Sequence, residues 1–143
     1  MTNRIAFVGG GNMATSLIGG LVARGTPPSS IAVADPEASQ RARLEHDYGV
    51  TAAADAPAAV VGARTVVLAV KPQQMAQVAR SIAGQVAASG ALVISVAAGI
   101  RLQDLARWLG PGVPLVRTMP NRPALIGAGL TALYAMPGVD AAS

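Results

Sequence analysis

The sequence predicts an α/β fold, a doubly wound and mostly parallel sheet with helices on both faces, and three observations predict it. Short apolar runs such as Ile5–Val8, Ile31–Ala34 and Thr65–Val70 alternate along the chain with stretches of helical periodicity. That alternation is the signature of βαβ units. A glycine triplet, Gly9-Gly10-Gly11, joins the first apolar run to the first periodic stretch. The 143 residues are 52% apolar and only 13% charged, which suits one packed domain and excludes a disordered chain.

The elements follow in order. Ile5–Val8 reads as a strand, and Met13, Leu17 and Leu21, joined by Ile18 and Val22, recur at helical spacing until Gly25 and Pro27-Pro28 stop the helix. Ile31–Asp35 has the continuous apolar character of a buried parallel strand. A polar helix begins at Asp35-Pro36-Glu37 and closes near Tyr48-Gly49, with the glycine as its C-cap. A short strand at Val50–Ala52 and a small-residue helix over Ala56–Val61 lead to Thr65–Val70, the central fourth strand. A helix over Pro72–Ala88 places Met75, Val78, Ile82 and Val86 on one face. Ala91–Val96 is the next strand, Leu102, Leu105 and Leu109 mark another helix, and Val113–Met119 and Leu130–Tyr134 supply two late extended runs. The expected strand order is 3-2-1-4-5-6 with a late edge strand, which makes the fold Rossmann-type. The domain is expected over residues 1–136, with 137–143 as a tail or the start of a linker.

Composition narrows the functional classes. The absence of Cys excludes a disulfide framework, a thiolate metal site and a Cys nucleophile, and suits the cytoplasm. The apolar start is too short for a signal peptide or a membrane span. The net charge of +4 comes from ten Arg and Lys71, scattered without a run, and aromatic residues are only 3%. A nucleic-acid surface would cluster its cations and interleave aromatics, so no nucleic-acid partner is expected.

In such a fold ligands lie at the carboxyl ends of the strands. Gly9-Gly10-Gly11-Asn12-Met13-Ala14 fits the pattern G-x-G-x-x-G/A. Gly9 makes the tight turn, Gly11 lets the backbone approach a pyrophosphate, and Ala14 permits close helix–strand packing. The helix opening at Asn12 and Met13 aims free N–H groups and a positive dipole end at the same place. Asp35 closes the second strand, where an acid accepts hydrogen bonds from ribose hydroxyls and repels a 2′-phosphate. Arg41 and Arg43 follow and offer a phosphate clamp, while Asp35 is equally readable as an N-cap. The choice between NAD(H) and NADP(H) is open at this point.

The motifs Gly-Gly-Gly-Asn-Met-Ala (9–14), Leu-Ala-Val-Lys-Pro-Gln (68–73), Ser-Val-Ala-Ala-Gly-Ile (95–100) and Arg-Thr-Met-Pro-Asn (117–121), with Pro123 to Leu133 behind them, resemble the successive signatures of pyrroline-5-carboxylate reductases. The resemblance runs from about residue 4 to 134. It implies NAD(P)H-dependent reduction of the cyclic imine 1-pyrroline-5-carboxylate to L-proline. It also implies that the turn Ala69-Val70-Lys71-Pro72 borders the nicotinamide half of the cofactor, and that Ala97, Ala98 and Gly99 and the turn of Asn121 flank the ring. Such turns are rigid enough to fix a ring face near an electrophilic carbon.

Lys71 reads as a lysine serving local carbonyls or cofactor phosphates rather than a catalyst, because a cation repels an iminium substrate. Asn121 suits hydrogen bonding to the nicotinamide or its ribose. His46 reads as a solvated surface residue and Trp108 as partial core. Two features depart from the family. Arg122 stands where members carry Thr, and members continue into an all-helical domain that binds the substrate carboxylate and builds the homo-oligomer. The catalytic residues are expected there, so these 143 residues alone are expected to turn substrate over negligibly. A non-catalytic dinucleotide-binding module and another imine or β-hydroxyacid reductase are the competing readings.

Overall fold

A computed structural model describes residues 4–96, 100–118 and 133–135. Its elements in chain order are β1 (Ile5–Val8), α1 (Asn12–Ala23), a 3-10 turn (Pro28–Ser30), β2 (Ile31–Ala34), α2 (Ala38–Tyr48), β3 (Thr51–Ala53), α3 (Ala56–Val60), β4 (Thr65–Leu68), α4 (Pro72–Ser89), β5 (Leu92–Ser95), α5 (Leu102–Leu109), β6 (Leu115–Thr118) and β7 (Leu133–Ala135). They build one sheet in the order β3-β2-β1-β4-β5-β6-β7. The first six strands pair in parallel, and β7 adds to β6 in antiparallel register. The predicted order and the late edge strand are both present. The ends of β1 to β6 move by at most two residues, β7 begins at Leu133 where Leu130 was expected, and α2 starts at Ala38, three residues after the expected Asp35. The expected tail at 137–143 lies outside the described residues.

Parallel pairing in this order puts β1 and β4 at the centre of the sheet, buried from both sides. Successive side chains on a strand point to opposite faces, so each strand feeds two cores. Phe7, Val33, Val67 and Ile94 pack on one face with Leu17 and Ile18 of α1 and Leu44 of α2. Ala6, Val8, Val66, Leu68 and Val93 pack on the other face with Met75, Ile82 and Val86 of α4 and Leu105 and Leu109 of α5. The short α3 meets the sheet through small side chains: Ala59 lies against Ala32 and Ala34, with Ala53 and Ala56 at the margin, and Val60 joins the core beside β1 and β4. Side chains this small bring the helix close to β2 and leave room beside it.

Among the described residues no helix is long and apolar enough to cross a membrane. Trp108 is half-buried against the α4 and α5 core, as its place behind the leucine stripe predicts. His46 is exposed in the last turn of α2.

Leu44 is the one buried residue of α2 and is fully enclosed. Its neighbours include the glycine turn, so Leu44→Ala should lower stability by about 3 kcal/mol, a typical cost of an unfilled core cavity. Urea unfolding followed by circular dichroism checks this.

Candidate dinucleotide site

The site grows from the turn between β1 and α1. Gly9 has φ +100°, a conformation that side chains rarely adopt, and a Cβ there would stand 2.7 Å from the carbonyl oxygen of Ala69. Glycine at this position is therefore required twice over. Gly10 is crowded by side chains and not by backbone. A Cβ on it would meet Leu44 Cδ1 at 2.9 Å and Asp35 Oδ2 at 3.1 Å. Gly11 faces open space, with nothing within 4 Å of its notional Cβ.

The turn is tied to the end of β2. The Gly10 N–H donates to Asp35 Oδ2 at 3.0 Å, and the Gly10 carbonyl accepts from Gln40 Nε2 of α2. Asp35 Oδ1 accepts from the Glu37 N–H at 2.9 Å. Asp35 is thus not the N-cap of α2: Glu37 holds that position, and no side chain caps the helix. What Asp35 closes is the Asp35–Glu37 turn, an Asx-type bond to the amide two residues on. The two arginines that followed Asp35 in sequence separate in space. Arg41 Nη1 donates to the Asp35 carbonyl at 2.8 Å, whereas Arg43 faces away and pairs with Asp47 at 3.7 Å.

The first turn of α1 contains no acid, and Gly11 at its N-cap offers no side chain to its amides. The N-terminal N–H groups of a helix have no partners within the helix and carry its positive dipole end. Thr15 turns its hydroxyl inward, donating to the Gly11 carbonyl at 2.8 Å, and so strengthens the turn. Open space over Gly11, uncapped amides and no acid in the first turn of α1 together fit a pyrophosphate. Asn12 is exposed, Met13 half-buried, and Ala14 fully buried against the sheet, where its small side chain lets α1 approach.

Beside this turn lies a cleft of about 390 Å³. Val8 and Gly9, Ala34 and Asp35, Ala54 and Asp55, and Val70 bring the carboxyl ends of β1 to β4 to its floor, and Gln74, Gln77, Val78 and Ser81 of α4 form one wall. Asp55 is the N-cap of α3, its Oδ1 accepting from Ala58 N–H at 2.9 Å. Lys71 is exposed at the N-cap position of α4 and caps nothing with its side chain, while Pro72 opens the helix. The Ala69 N–H donates to the Val8 carbonyl, fixing this second turn against the first.

Gly9, Gly11, Asn12, Met13, Ala14, Asp35, Ala69, Val70, Lys71 and Pro72 therefore gather at one edge of the sheet. Ala97, Ala98, Gly99 and Asn121, expected near the ring, lie outside the described residues, as does Arg122. Gly10, Gln40, Asp55 and the polar face of α4 were not singled out from sequence. Gly10 occupies a position the fingerprint leaves free, and nothing in the local pattern of α2 or α4 marks a glutamine as facing the turn.

A parallel sheet with a glycine turn at an uncapped helix and an adjoining cleft defines a nucleotide-binding α/β domain. The chain belongs to the family described as NADP oxidoreductase, coenzyme F420-dependent, whose model matches residues 4–99. Within that class the resemblance seen in its motifs is borne out. A pyrroline-5-carboxylate reductase of Pseudomonas aeruginosa is 46% identical over 141 residues, 99% of this chain and 51% of that protein. The structure of a pyrroline-5-carboxylate reductase from Coxiella burnetii superimposes with a TM-score of 0.89 at 34% identity, over 99% of this chain and 53% of that one. A Plasmodium falciparum pyrroline carboxylate reductase crystallised with NADP bound shares the fold, with a TM-score of 0.81 at 21% identity over 99% of this chain and 52% of that one. The chain spans about half the length of these relatives.

The glycines predict a contrast in stability. Gly10→Ala drives a Cβ into Leu44 and Asp35 and should cost about 1–3 kcal/mol, whereas Gly11→Ala meets open space and should stay within about 1 kcal/mol of the parent. Paired thermal unfolding curves check the order.

Proposed function

We propose that this chain is the dinucleotide-binding half of a pyrroline-5-carboxylate reductase, an enzyme that uses NAD(P)H to reduce the C=N bond of 1-pyrroline-5-carboxylate and release L-proline. The observation that carries the reading is the open, uncapped α1 N-terminus behind Gly11, set beside the cleft at the ends of β1 to β4. The motif series and the similarity to reductases of that name support the substrate.

In this reading the amides of Asn12, Met13 and Ala14 hold the pyrophosphate through the helix dipole and direct hydrogen bonds. The cleft takes the adenosine, with Val70 and Val78 offering apolar surface and Gln74, Gln77 and Ser81 offering hydrogen bonds. The segments with Ala69-Val70-Lys71-Pro72, Ala97-Ala98-Gly99 and Asn121 border the nicotinamide end. When bound, the nicotinamide supplies the hydride, and the protein's work is to fix its distance and face relative to the imine carbon. Lys71 is suited to the phosphates, which its exposed ammonium can reach without facing the substrate. Binding of the substrate carboxylate, the catalytic residues and assembly into a homo-oligomer are assigned to the part of the relatives that this chain does not span.

Two measurements test this. Gly11→Ala should weaken NAD(P)H binding by about tenfold or more while the unfolding temperature holds, because a methyl group at that position occupies pyrophosphate space. Titration of cofactor fluorescence reads the affinity, and unchanged affinity would contradict the site. In a turnover assay with 1-pyrroline-5-carboxylate, these 143 residues alone should oxidise NAD(P)H no faster than a blank, because a site left open to water lacks the surroundings that hydride transfer needs. Brisk turnover would contradict the assignment of substrate binding to the unspanned part.

A further inference from the structure

We propose that Gln40 is a positioning residue for the dinucleotide: from outside the cleft it aims the Gly11 N–H at the pyrophosphate. The proposal rests on the dinucleotide-binding reading and assigns part of its affinity to α2. Gln40 is absent from the cleft lining, yet its Nε2 donates to the Gly10 carbonyl, 30 residues away in sequence.

A trans peptide group is planar, and its C=O and N–H point in opposite directions. The peptide joining Gly10 to Gly11 is trans, so drawing its oxygen toward α2 turns the Gly11 N–H away from α2. Leu44 packs α2 on one face of the sheet, whereas α3 and α4, which line the cleft, lie on the other. The Gly11 N–H is thus turned to the side on which the cleft opens. Among the described residues nothing accepts from it.

A peptide between two glycines rotates more readily than any other, because neither neighbour has a Cβ to restrict it. Asp35 does not hold this one. Its carboxylate takes the Gly10 N–H, which belongs to the preceding peptide group. The orientation of the next group therefore falls to Gln40, with Thr15 Oγ1 at 3.4 Å as the longer second contact. The same bond keeps another amide open. Continued back by one residue, the α1 ladder would send the Ala14 N–H to the Gly10 carbonyl. That carbonyl is held toward α2 instead, and no bond from Ala14 to it forms.

Gln40→Met keeps the length of the side chain and removes the donor. Isothermal titration should show NADH bound about tenfold more weakly by the variant than by the parent chain. Adenosine has no phosphate, and its affinity, followed by amide chemical shifts, should stay within about twofold of the parent's. A loss of structure alone would weaken both ligands together. Should the variant fail to fold, the unmodified chain with NADH bound should show a scalar coupling through the hydrogen bond from Gln40 Nε2 to the Gly10 carbonyl carbon. Equal NADH affinity in a folded variant, an equal loss for NADH and adenosine, or a coupling that vanishes on binding would overturn the role of Gln40 and leave the dinucleotide reading standing. A parent chain that binds no NADH would overturn the reading itself.

Discussion

The structure depends on the main chain of one residue. Gly10 donates its N–H to Asp35 and gives its carbonyl to Gln40, so the turn that ends β1 is locked to the turn that ends β2. Both bonds are partly buried, where a hydrogen bond left unmade is expensive. The lock works only because Gly10 lacks a Cβ, since the space a side chain would take is filled by Leu44 and Asp35 themselves. Once the turn is fixed, Gly9 can pass against the Ala69 carbonyl and α1 leaves the sheet with its first amides uncovered.

That arrangement predicts that binding and stability separate along three consecutive glycines. Gly9 and Gly10 are glycine because the protein itself crowds them. Gly11 has nothing within 4 Å of its notional Cβ, which leaves the room that the proposed pyrophosphate needs. Small side chains recur beside the turn: Ala59 of α3 packs on Ala32 and Ala34 of β2, and Ala34, Ala54 and Ala56 line the cleft.

Much of this was legible in the sequence. Strand order followed from the alternation of buried runs with helical spacing, and the glycine fingerprint located the turn. Periodicity could not resolve the role of Asp35, because an acid after a strand reads equally as ribose ligand or helix cap. Only the tertiary pairing with Gly10, 25 residues away in sequence, shows that its carboxylate faces the turn. Arg41 and Arg43 looked equivalent for the same reason: two residues apart on a helix they point in different directions, and the local pattern does not say which one meets the sheet edge. The glutamines of α4 were invisible because a polar helix face reads as solvated whether or not a cleft lies beneath it. The start of α2 was placed too early because Pro36 resembles a first helical residue, whereas here it belongs to the turn that Asp35 closes.

In the proposed function the uncapped start of α1 and the neighbouring cleft hold one dinucleotide. Amide chemical shifts of the isotopically labelled chain, followed while NADH is added, test it most directly. The largest changes should fall on Gly11, Asn12 and Met13 and on the cleft residues Asp35, Gln74 and Ser81, all saturating together. Changes confined to α5 and the far ends of the strands, with the glycine turn unmoved, would contradict it.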